Sequence, residues 1–253
     1  MTEKSKEKEM PFLDHLEELR WRLIKSIVTV IVCAIGVYFF SEQVLACLIA
    51  PYNDAATQLD SGAAQKLIFL SPTGGFMIRI KISIFSAILL GLPVIFYQIW
   101  QFVVPGLLRK EKKLVPVVAF FSTLCFLTGA LFCYLVVLRF GLRFLLSFET
   151  ADLVATISVH EYLGFVTMLI FVFGLIFELP ILALFLTKIG LLTPAFMRHY
   201  RRHGIVGMVI LSAVVTPPDI FTQLLLAGPL ILLYEISILI SAAVHKKQEV
   251  SEK

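Results

Sequence analysis

Long apolar runs separated by short polar stretches dominate the chain. A helix needs about 17–25 residues to cross a bilayer, and most of these runs approach or exceed that length. They are apolar on every face, whereas the strands of a membrane barrel alternate apolar and polar positions. The pattern therefore predicts an all-α, polytopic membrane helix bundle with six transmembrane helices, at Leu23–Phe40, Ile82–Val104, Leu114–Leu138, Tyr162–Leu186, Gly204–Val215 and Ile220–Val244.

The segment before the first run is polar but periodic. Apolar residues from Phe12 to Leu23 recur at spacings of four, three and four, which predicts an amphipathic helix that runs into the first span. Its polar side carries acids where a membrane flank usually needs only positive charge. Local pairs of Glu18 with Arg22 and of Glu17 with Arg20, each worth about 0.2–0.5 kcal/mol, would explain them without any ligand.

Helix breakers and caps shape the connections. The outer segment at about 41–76 is long enough to form its own cap over the bundle. Gly91 and Pro93 are predicted to break the second span, because proline removes a helical hydrogen bond. If Thr193 caps a helix that the next residue, a proline, begins, the lower turns of that helix would carry arginines and histidines.

The last two spans are predicted to be short and joined by a tight outer turn. Pro217 and Pro218 would end one helix, and Asp219 can cap the next. The run Gly204–Val215 has only twelve residues. It would extend about 18 Å against a hydrocarbon core of about 30 Å. We therefore expect this corner of the protein to thin the bilayer.

Composition and charge place the chain in a membrane with a defined orientation. Hydrophobic residues make up 58% of its 253 residues, and the mean hydropathy is +0.90. Lysine and arginine concentrate at the two termini and in the second and fourth connections, which predicts that both termini are cytoplasmic. These membrane flanks account for the net charge of +4, so we predict contact with lipid and no nucleic-acid partner.

Three parts follow from this pattern. Residues 1–22 form a cytoplasmic amphipathic helix, residues 23–245 form the six-helix membrane domain, and residues 246–253 form a cytoplasmic tail. The four cysteines have no disulfide or metal-ligand spacing. No H-E-x-x-H, G-x-S-x-G or phosphate-binding glycine motif occurs, so we predict no catalytic residue, metal or cofactor and no enzyme.

Glu178 is a lone acid in the middle of the fourth apolar run. A carboxylate at that depth costs about 2.5–3.5 kcal/mol on insertion scales, so it should face protein, a cavity or a partner. A structural hydrogen bond, for example to backbone freed by Pro180, is one alternative. A proton-coupled small-solute transporter would also place an acid there, although the chain shows no internal repeat.

Six motifs together resemble the TatC family, the signal-peptide receptor subunit of the twin-arginine protein translocase. Each motif is weak alone, but their order, spacing and predicted placement make the match specific over nearly the whole chain. Members often carry an acid where this chain has Gly74, so no role can be transferred to that position. The motifs are HLEELRWRL, SPTGGF, PVIFYQIWQFVVPGL with the following RKEKK, FELP, TPPD and PLILLYE.

The resemblance implies a substrate and a site. The substrates would be folded proteins whose N-terminal signal peptide carries consecutive arginines and then an apolar segment. Glu18 and Glu111 would hold the two guanidinium groups at the cytoplasmic face, with Arg20 and Phe102 shaping the site. A carboxylate can accept the planar guanidinium fork bidentately, whereas lysine is a hydrated point charge.

The resemblance also implies partners. These are single-span TatA and TatB type subunits, with self-association in a larger complex in the bacterial plasma membrane and transport driven by the proton gradient. Glu178 would be the polar contact for partners or translocation within the membrane. Structural or partner-docking roles would belong to Pro51, Pro93, Pro217, Pro218 and Asp219.

Overall fold

The computed structural model describes residues 12–58, 67–103, 115–148, 156–215 and 220–251, and these residues are almost entirely helical. A short π-helical turn at Cys133–Val137 joins α4 to α5. The helices are α1 (Phe12–Tyr38), α2 (Ser41–Gln58), α3 (Gly74–Val103), α4 (Val115–Phe132), α5 (Leu138–Leu146), α6 (Val159–Ile176), α7 (Leu179–Lys188), α8 (Pro194–His199), α9 (Arg201–Val215) and α10 (Ile220–Ser251).

Among the described residues, five helical stretches are long and apolar enough to cross a membrane: His15–Tyr38, Gly74–Val103, Val115–Leu146, Val159–Lys188 and Thr222–Lys246. They correspond to the first four predicted spans and the sixth. The all-α membrane bundle is thereby confirmed.

The two helices predicted to be short differ in length. The predicted fifth span is α9, whose 15 residues extend about 22 Å. It is therefore short, as expected. The last helix is not short, because α10 has 32 residues. It continues past its apolar part into the polar segment from His245 to Ser251, which the hydrophobic pattern alone did not assign to the helix.

The prediction of a break at Gly91 and Pro93 was wrong. Helix α3 runs without interruption through both residues. In a membrane, neighbouring helices and small adjustments of the backbone compensate for the hydrogen bond that a proline removes. Gly91 faces Thr29 and Val30 of α1, the helix packed along this side of α3.

A proline does create a specific contact in helix α2. Pro51 lies inside α2 and has no N–H, so the carbonyl of Cys47 lacks its helical donor. The Tyr134 hydroxyl donates to that carbonyl at 2.7 Å. The Tyr162 hydroxyl donates to the neighbouring carbonyl of Leu48 at 2.9 Å. Two tyrosines from the bundle therefore fasten α2 at neighbouring carbonyls, one of which Pro51 leaves without a helical donor.

The fourth span is interrupted at Phe177 and Glu178, which form a turn between α6 and α7. Glu178 keeps a helical conformation, and its N–H bonds to the Leu175 carbonyl at 3.1 Å. Pro180 occupies the first turn of α7, where its missing N–H leaves no helical bond unmade. The break therefore lies at the only charged residue between Tyr162 and Leu186.

Helices α8, α9 and α10 form the C-terminal part of the chain. Thr193 caps α8, because its Oγ1 accepts a hydrogen bond from the Phe196 N–H at 3.2 Å. Tyr234 of α10 reaches across α8 and donates its hydroxyl to the Met197 carbonyl at 3.0 Å. A buried bond of 2.7 Å between the hydroxyls of Thr187 and Ser241 joins α7 to α10.

The centre of the bundle depends on a close approach of α4 and α6. A Cβ atom at Gly129 would lie 2.7 Å from the carbonyl oxygen of Phe173. On the opposing helix, a Cβ atom at Gly174 would overlap the buried ring of Phe126. Only glycine permits this approach at both positions. The contact brings α4 against the interrupted fourth span.

We predict that Gly174→Ala destabilises the protein by about 1–3 kcal/mol, because the added methyl group overpacks a core that cannot yield easily. Gly141→Ala is the matched control. A Cβ atom there has no neighbour within 4 Å, so the change should be neutral or stabilise α5. Thermal unfolding in detergent measures both variants. Equal melting temperatures would show that α4 and α6 do not need this close contact.

Candidate functional site

The predicted inner ends of α1 and α3 meet around the side chain of Arg22. Its Nε donates to Glu18 Oε1 at 3.0 Å, and a second guanidinium N–H donates to the same oxygen. Its third nitrogen donates to the side-chain oxygens of Gln101 and Gln98. Because the Arg22 and Glu18 side chains are only 15% and 24% exposed, solvent screens this pair less than a surface pair.

A ring contact extends the same cluster toward the predicted cytoplasmic surface. His15 of α1 stacks on Phe102 of α3, with ring centroids 4.3 Å apart and planes 12° from parallel. His15, Glu18 and Arg22 follow the helical spacing of three and four residues, so they share one face of α1. We call His15, Glu18, Arg22, Gln98, Gln101 and Phe102 the α1–α3 cluster.

The structure brings together some of the four residues predicted to bind a signal peptide. Glu18 and Phe102 both belong to the α1–α3 cluster. Arg20 is exposed and lies two residues beyond Glu18, so it projects from another side of α1. Glu111 lies outside the described residues, and its placement relative to the cluster stays a prediction.

Sequence reasoning missed four members of the cluster as site residues. Arg22 was predicted only to form a local pair with Glu18. His15, Gln98 and Gln101 were part of the motifs but were not predicted to be site residues. The spacing of three residues between these glutamines puts them on one face of α3, a signal that could have paired them with the polar face of α1.

Glu178 lies within the bundle and is only 5% exposed, as expected of an acid that should face protein. The Ser122 side chain and the Phe126 backbone, both on α4, lie near its carboxyl group. Its Oε1 atom is buried and has no hydrogen-bond partner among the described residues. A buried acceptor without a donor costs about 1–3 kcal/mol, so the carboxyl group is energetically costly at this position.

The acid lies directly beneath an exposed apolar face. Phe171, Leu175 and Leu182 are 37%, 48% and 43% exposed. With Glu178 they follow spacings of four, three and four along α6 and α7. A donor carried by another helix would therefore approach the carboxyl group across this face.

The structure describes some of the remaining predicted positions and not others. Pro51 and Pro93 lie inside α2 and α3. Pro217, Pro218 and Asp219 lie outside the described residues. In the part of the chain that the structure describes, no group of three or more His, Cys, Asp or Glu side chains is arranged to hold a metal ion.

Comparison with known proteins gives one consistent result. The family model of the Sec-independent protein translocase protein (TatC) matches residues 14–229. The TatC protein of Desulforapulum autotrophicum is 38% identical over 98% of this chain and 90% of its own length. That of Aquifex aeolicus is 39% identical, over 96% of this chain and 100% of its own length.

Solved structures agree with these relatives. A crystal structure of the twin-arginine translocase receptor TatC is 39% identical, has a TM-score of 0.77, and aligns over 90% of this chain and 97% of that one. A second crystal structure of this receptor, in DDM, is 40% identical with a TM-score of 0.78. It covers 90% of this chain and 99% of its own.

We predict that a disulfide forms between α1 and α3 in the double variant His15→Cys with Phe102→Cys, because the two native rings are stacked. Glu17→Cys with Phe102→Cys is the control, since Glu17 is exposed and two residues from His15 on the helix. Mass spectrometry of peptides from the unreduced, oxidised protein detects the bond. Comparable yields from both pairs would contradict the described contact.

Proposed function

The chain belongs to the TatC family of Sec-independent protein translocase proteins, and we propose that it is the subunit that binds twin-arginine signal peptides. Family membership makes it a multi-pass membrane component of the translocase and not an enzyme. Signal-peptide binding at the α1–α3 cluster and recruitment of partner subunits are the finer parts of the proposal.

One observation carries the binding proposal: Glu18 already accepts two hydrogen bonds from a guanidinium group, that of Arg22. A signal-peptide arginine offers the same planar set of donors, so the carboxylate has the chemistry to receive it. Lysine offers a compact ammonium group and cannot reproduce this arrangement. A requirement for arginine rather than positive charge alone follows from this difference.

Arg22 also sets a condition on binding. An incoming guanidinium must share Glu18 with Arg22 or replace it, and Gln98 and Gln101 can keep hydrogen-bonding Arg22 when it is displaced. Lysines and arginines surround Glu111 in the sequence, and they would repel peptides that are merely basic. Selectivity would then combine attraction to the carboxylates with repulsion by neighbouring charges.

The two acids do not suffice for tight binding. Hydrogen bonds to charged groups contribute about 1.5–3 kcal/mol, and micromolar affinity needs about 8 kcal/mol. Burying the apolar segment of the signal peptide, at about 25 cal/mol per Å², is the natural source of the difference. Many apolar side chains of α1 and α3 are exposed on the bundle and could contribute this surface.

Within the membrane, Glu178 is proposed to contact a partner or to take part in translocation. Its unpaired oxygen and the exposed face above it support this role. The partners would be single-span TatA and TatB type subunits in the bacterial plasma membrane, with both termini of this chain cytoplasmic and transport driven by the proton gradient. The alternative of a small-solute transporter is not adopted, because the family is one of protein translocases.

We predict that Glu18→Ala weakens binding of a twin-arginine peptide at least about tenfold, as expected for losing a hydrogen bond to a charged group. Glu17→Ala is the matched control, because it removes an exposed neighbouring acid on another side of α1. Binding is measured by fluorescence anisotropy of a labelled peptide with purified protein in detergent. A twin-lysine version of the peptide should bind weakly to every variant.

The same peptide-binding assay tests the predicted role of Glu111. Glu111→Gln keeps nearly the same shape without the charge, and Glu111→Lys adds repulsion and should bind worst. If Glu18→Ala and Glu111→Gln both bind the peptide as the unaltered protein does, the proposed receptor site is wrong. Equal affinity for the two peptides in the unaltered protein would refute the proposed discrimination.

We further predict that Glu178→Leu leaves peptide binding within about twofold but slows export, and that Glu178→Gln is milder because it retains hydrogen-bonding capacity. Glu178 is a lone acid among apolar side chains, so its replacement by leucine should not unfold the bundle. Glu161→Leu, at the exposed start of α6, controls for replacing an acid in the same span. Normal export by Glu178→Leu would make the acid purely structural.

A further inference from the structure

The junction between α8 and α9 carries positive charge that no nearby acid balances. Residues 179–218 contain no aspartate or glutamate, whereas residues 194–203 contain three arginines and two histidines. Two of these arginines, Arg198 and Arg202, are exposed. The ion pairs formed among the described residues include neither of them. Their guanidinium groups can therefore receive an anion without first losing a carboxylate partner.

Aromatic rings lie beside these arginines. Phe196 and Tyr200 are both exposed, with ring centroids 4.6 Å apart. The ring of His203 lies 5.6 Å from that of Tyr200, so the three rings follow one another across the junction. Aromatic rings next to cations are typical of the level at which a membrane protein meets lipid headgroups. We call this group the α8–α9 corner: Phe196, Arg198, Tyr200, Arg202 and His203.

Contacts with α10 set the level of the corner relative to the membrane. Tyr234 donates its hydroxyl to the Met197 carbonyl of α8, and the next residue, Glu235, accepts from Arg201 at the start of α9. The membrane-spanning stretch of α10 continues eleven residues past Glu235, to Lys246. That distance is about 16 Å along a helix. The corner therefore lies well inside the level at which the apolar part of α10 ends.

Charge at this level requires a polar partner from the membrane. Helix α9 has 15 residues and extends about 22 Å, against a hydrocarbon core of about 30 Å. An arginine is costly in hydrocarbon unless water or a headgroup reaches it. Headgroups must therefore be drawn toward the start of α9, where the arginines are. A phosphodiester is a good partner there, because it can accept the planar guanidinium fork bidentately.

We propose that the α8–α9 corner is a binding site for anionic phospholipids, in which Arg198 and Arg202 hold the headgroup phosphates. The inference goes beyond the proposed receptor function and does not depend on it. In the proposed orientation, the lipids belong to the cytoplasmic leaflet. Their binding would fix the start of the short helix α9 at its level in the bilayer.

An apolar path along α9 favours a lipid over a soluble phosphate. Val206, Ile210 and Val214 follow Arg202 at successive spacings of four, so they continue along the same side of the helix. They are among the exposed apolar side chains of the bundle. A ligand with a phosphate at Arg202 and acyl chains along this path would contact both parts of the surface. A free phosphate ion would contact only the arginines.

Thermal unfolding of the purified full-length protein in detergent tests the site. Phosphatidylglycerol should raise the melting temperature more than phosphatidylcholine does, and inorganic phosphate alone should not raise it. In Arg198→Gln with Arg202→Gln, the phosphatidylglycerol concentration at half of the maximal shift should rise about tenfold or more, because each cation near the anionic headgroup adds to the affinity. Each variant is compared with itself in phosphatidylcholine, so a general loss of stability does not imitate loss of the site.

Lys25→Gln with Lys246→Gln is the matched control. It removes the same charge from two exposed positions at other membrane flanks, and its half-maximal concentration should stay within about twofold of the unaltered protein. Arg198→Lys with Arg202→Lys keeps the charge without the planar fork and should be intermediate.

Three results would overturn the inference. The first is an unchanged half-maximal concentration in Arg198→Gln with Arg202→Gln. The second is an equal change in the control pair, which would make the effect one of net charge. The third is an equal shift from phosphatidylcholine or from inorganic phosphate alone, since neither a zwitterionic lipid nor a free anion is the proposed ligand. None of these results would bear on the preference for twin-arginine peptides.

Discussion

A hydrocarbon interior supplies no hydrogen bonds, so every polar group placed there must find a partner within the protein. The structure meets this constraint with side chains that reach between helices. Tyr134 satisfies a carbonyl that Pro51 leaves without a donor, and the hydroxyls of Thr187 and Ser241 bond each other. These contacts hold α2 on the bundle and α7 on α10. The arrangement of the helices follows from where such partners can meet.

Glu178 is the notable exception to that constraint. One of its oxygens is buried without a donor among the described residues, although Ser122 and the Phe126 backbone lie near the carboxyl group. The close approach of α4 and α6 at Gly129 and Gly174 brings α4 against this part of the fourth span. In the proposed function, a donor from a partner subunit would satisfy this buried acceptor.

Where α1 packs against the end of α3, polar side chains form a second group of contacts. The α1–α3 cluster pairs a partly buried carboxylate with an internal guanidinium and stacks His15 on Phe102. In the proposed function, a signal-peptide arginine would replace Arg22 at Glu18 or share Glu18 with it. Such exchange favours a ligand of the same geometry over one of equal charge, which is the basis of the proposed discrimination.

Local sequence patterns predicted the features that depend on nearby residues. The pair of Glu18 with Arg22 and the cap at Thr193 both involve partners within four positions, and both are present. A break was predicted at Pro93 because proline disrupts the hydrogen bonding of an isolated helix locally. Packing in the bundle keeps α3 continuous through this residue. The end of α10 was also missed, because its polar final turns carry no hydrophobic signal.

The sequence by itself determined the membrane class, the helical composition and the resemblance to the TatC family, because these rest on the length and order of apolar runs and motifs. Only the tertiary structure decided which polar side chains meet. The bond from Arg22 to Gln101 joins residues 79 positions apart, and that from Trp100 to Ser122 joins residues 22 apart. Helical periodicity fixes the face on which each residue lies, but the partner of that face depends on how the helices pack.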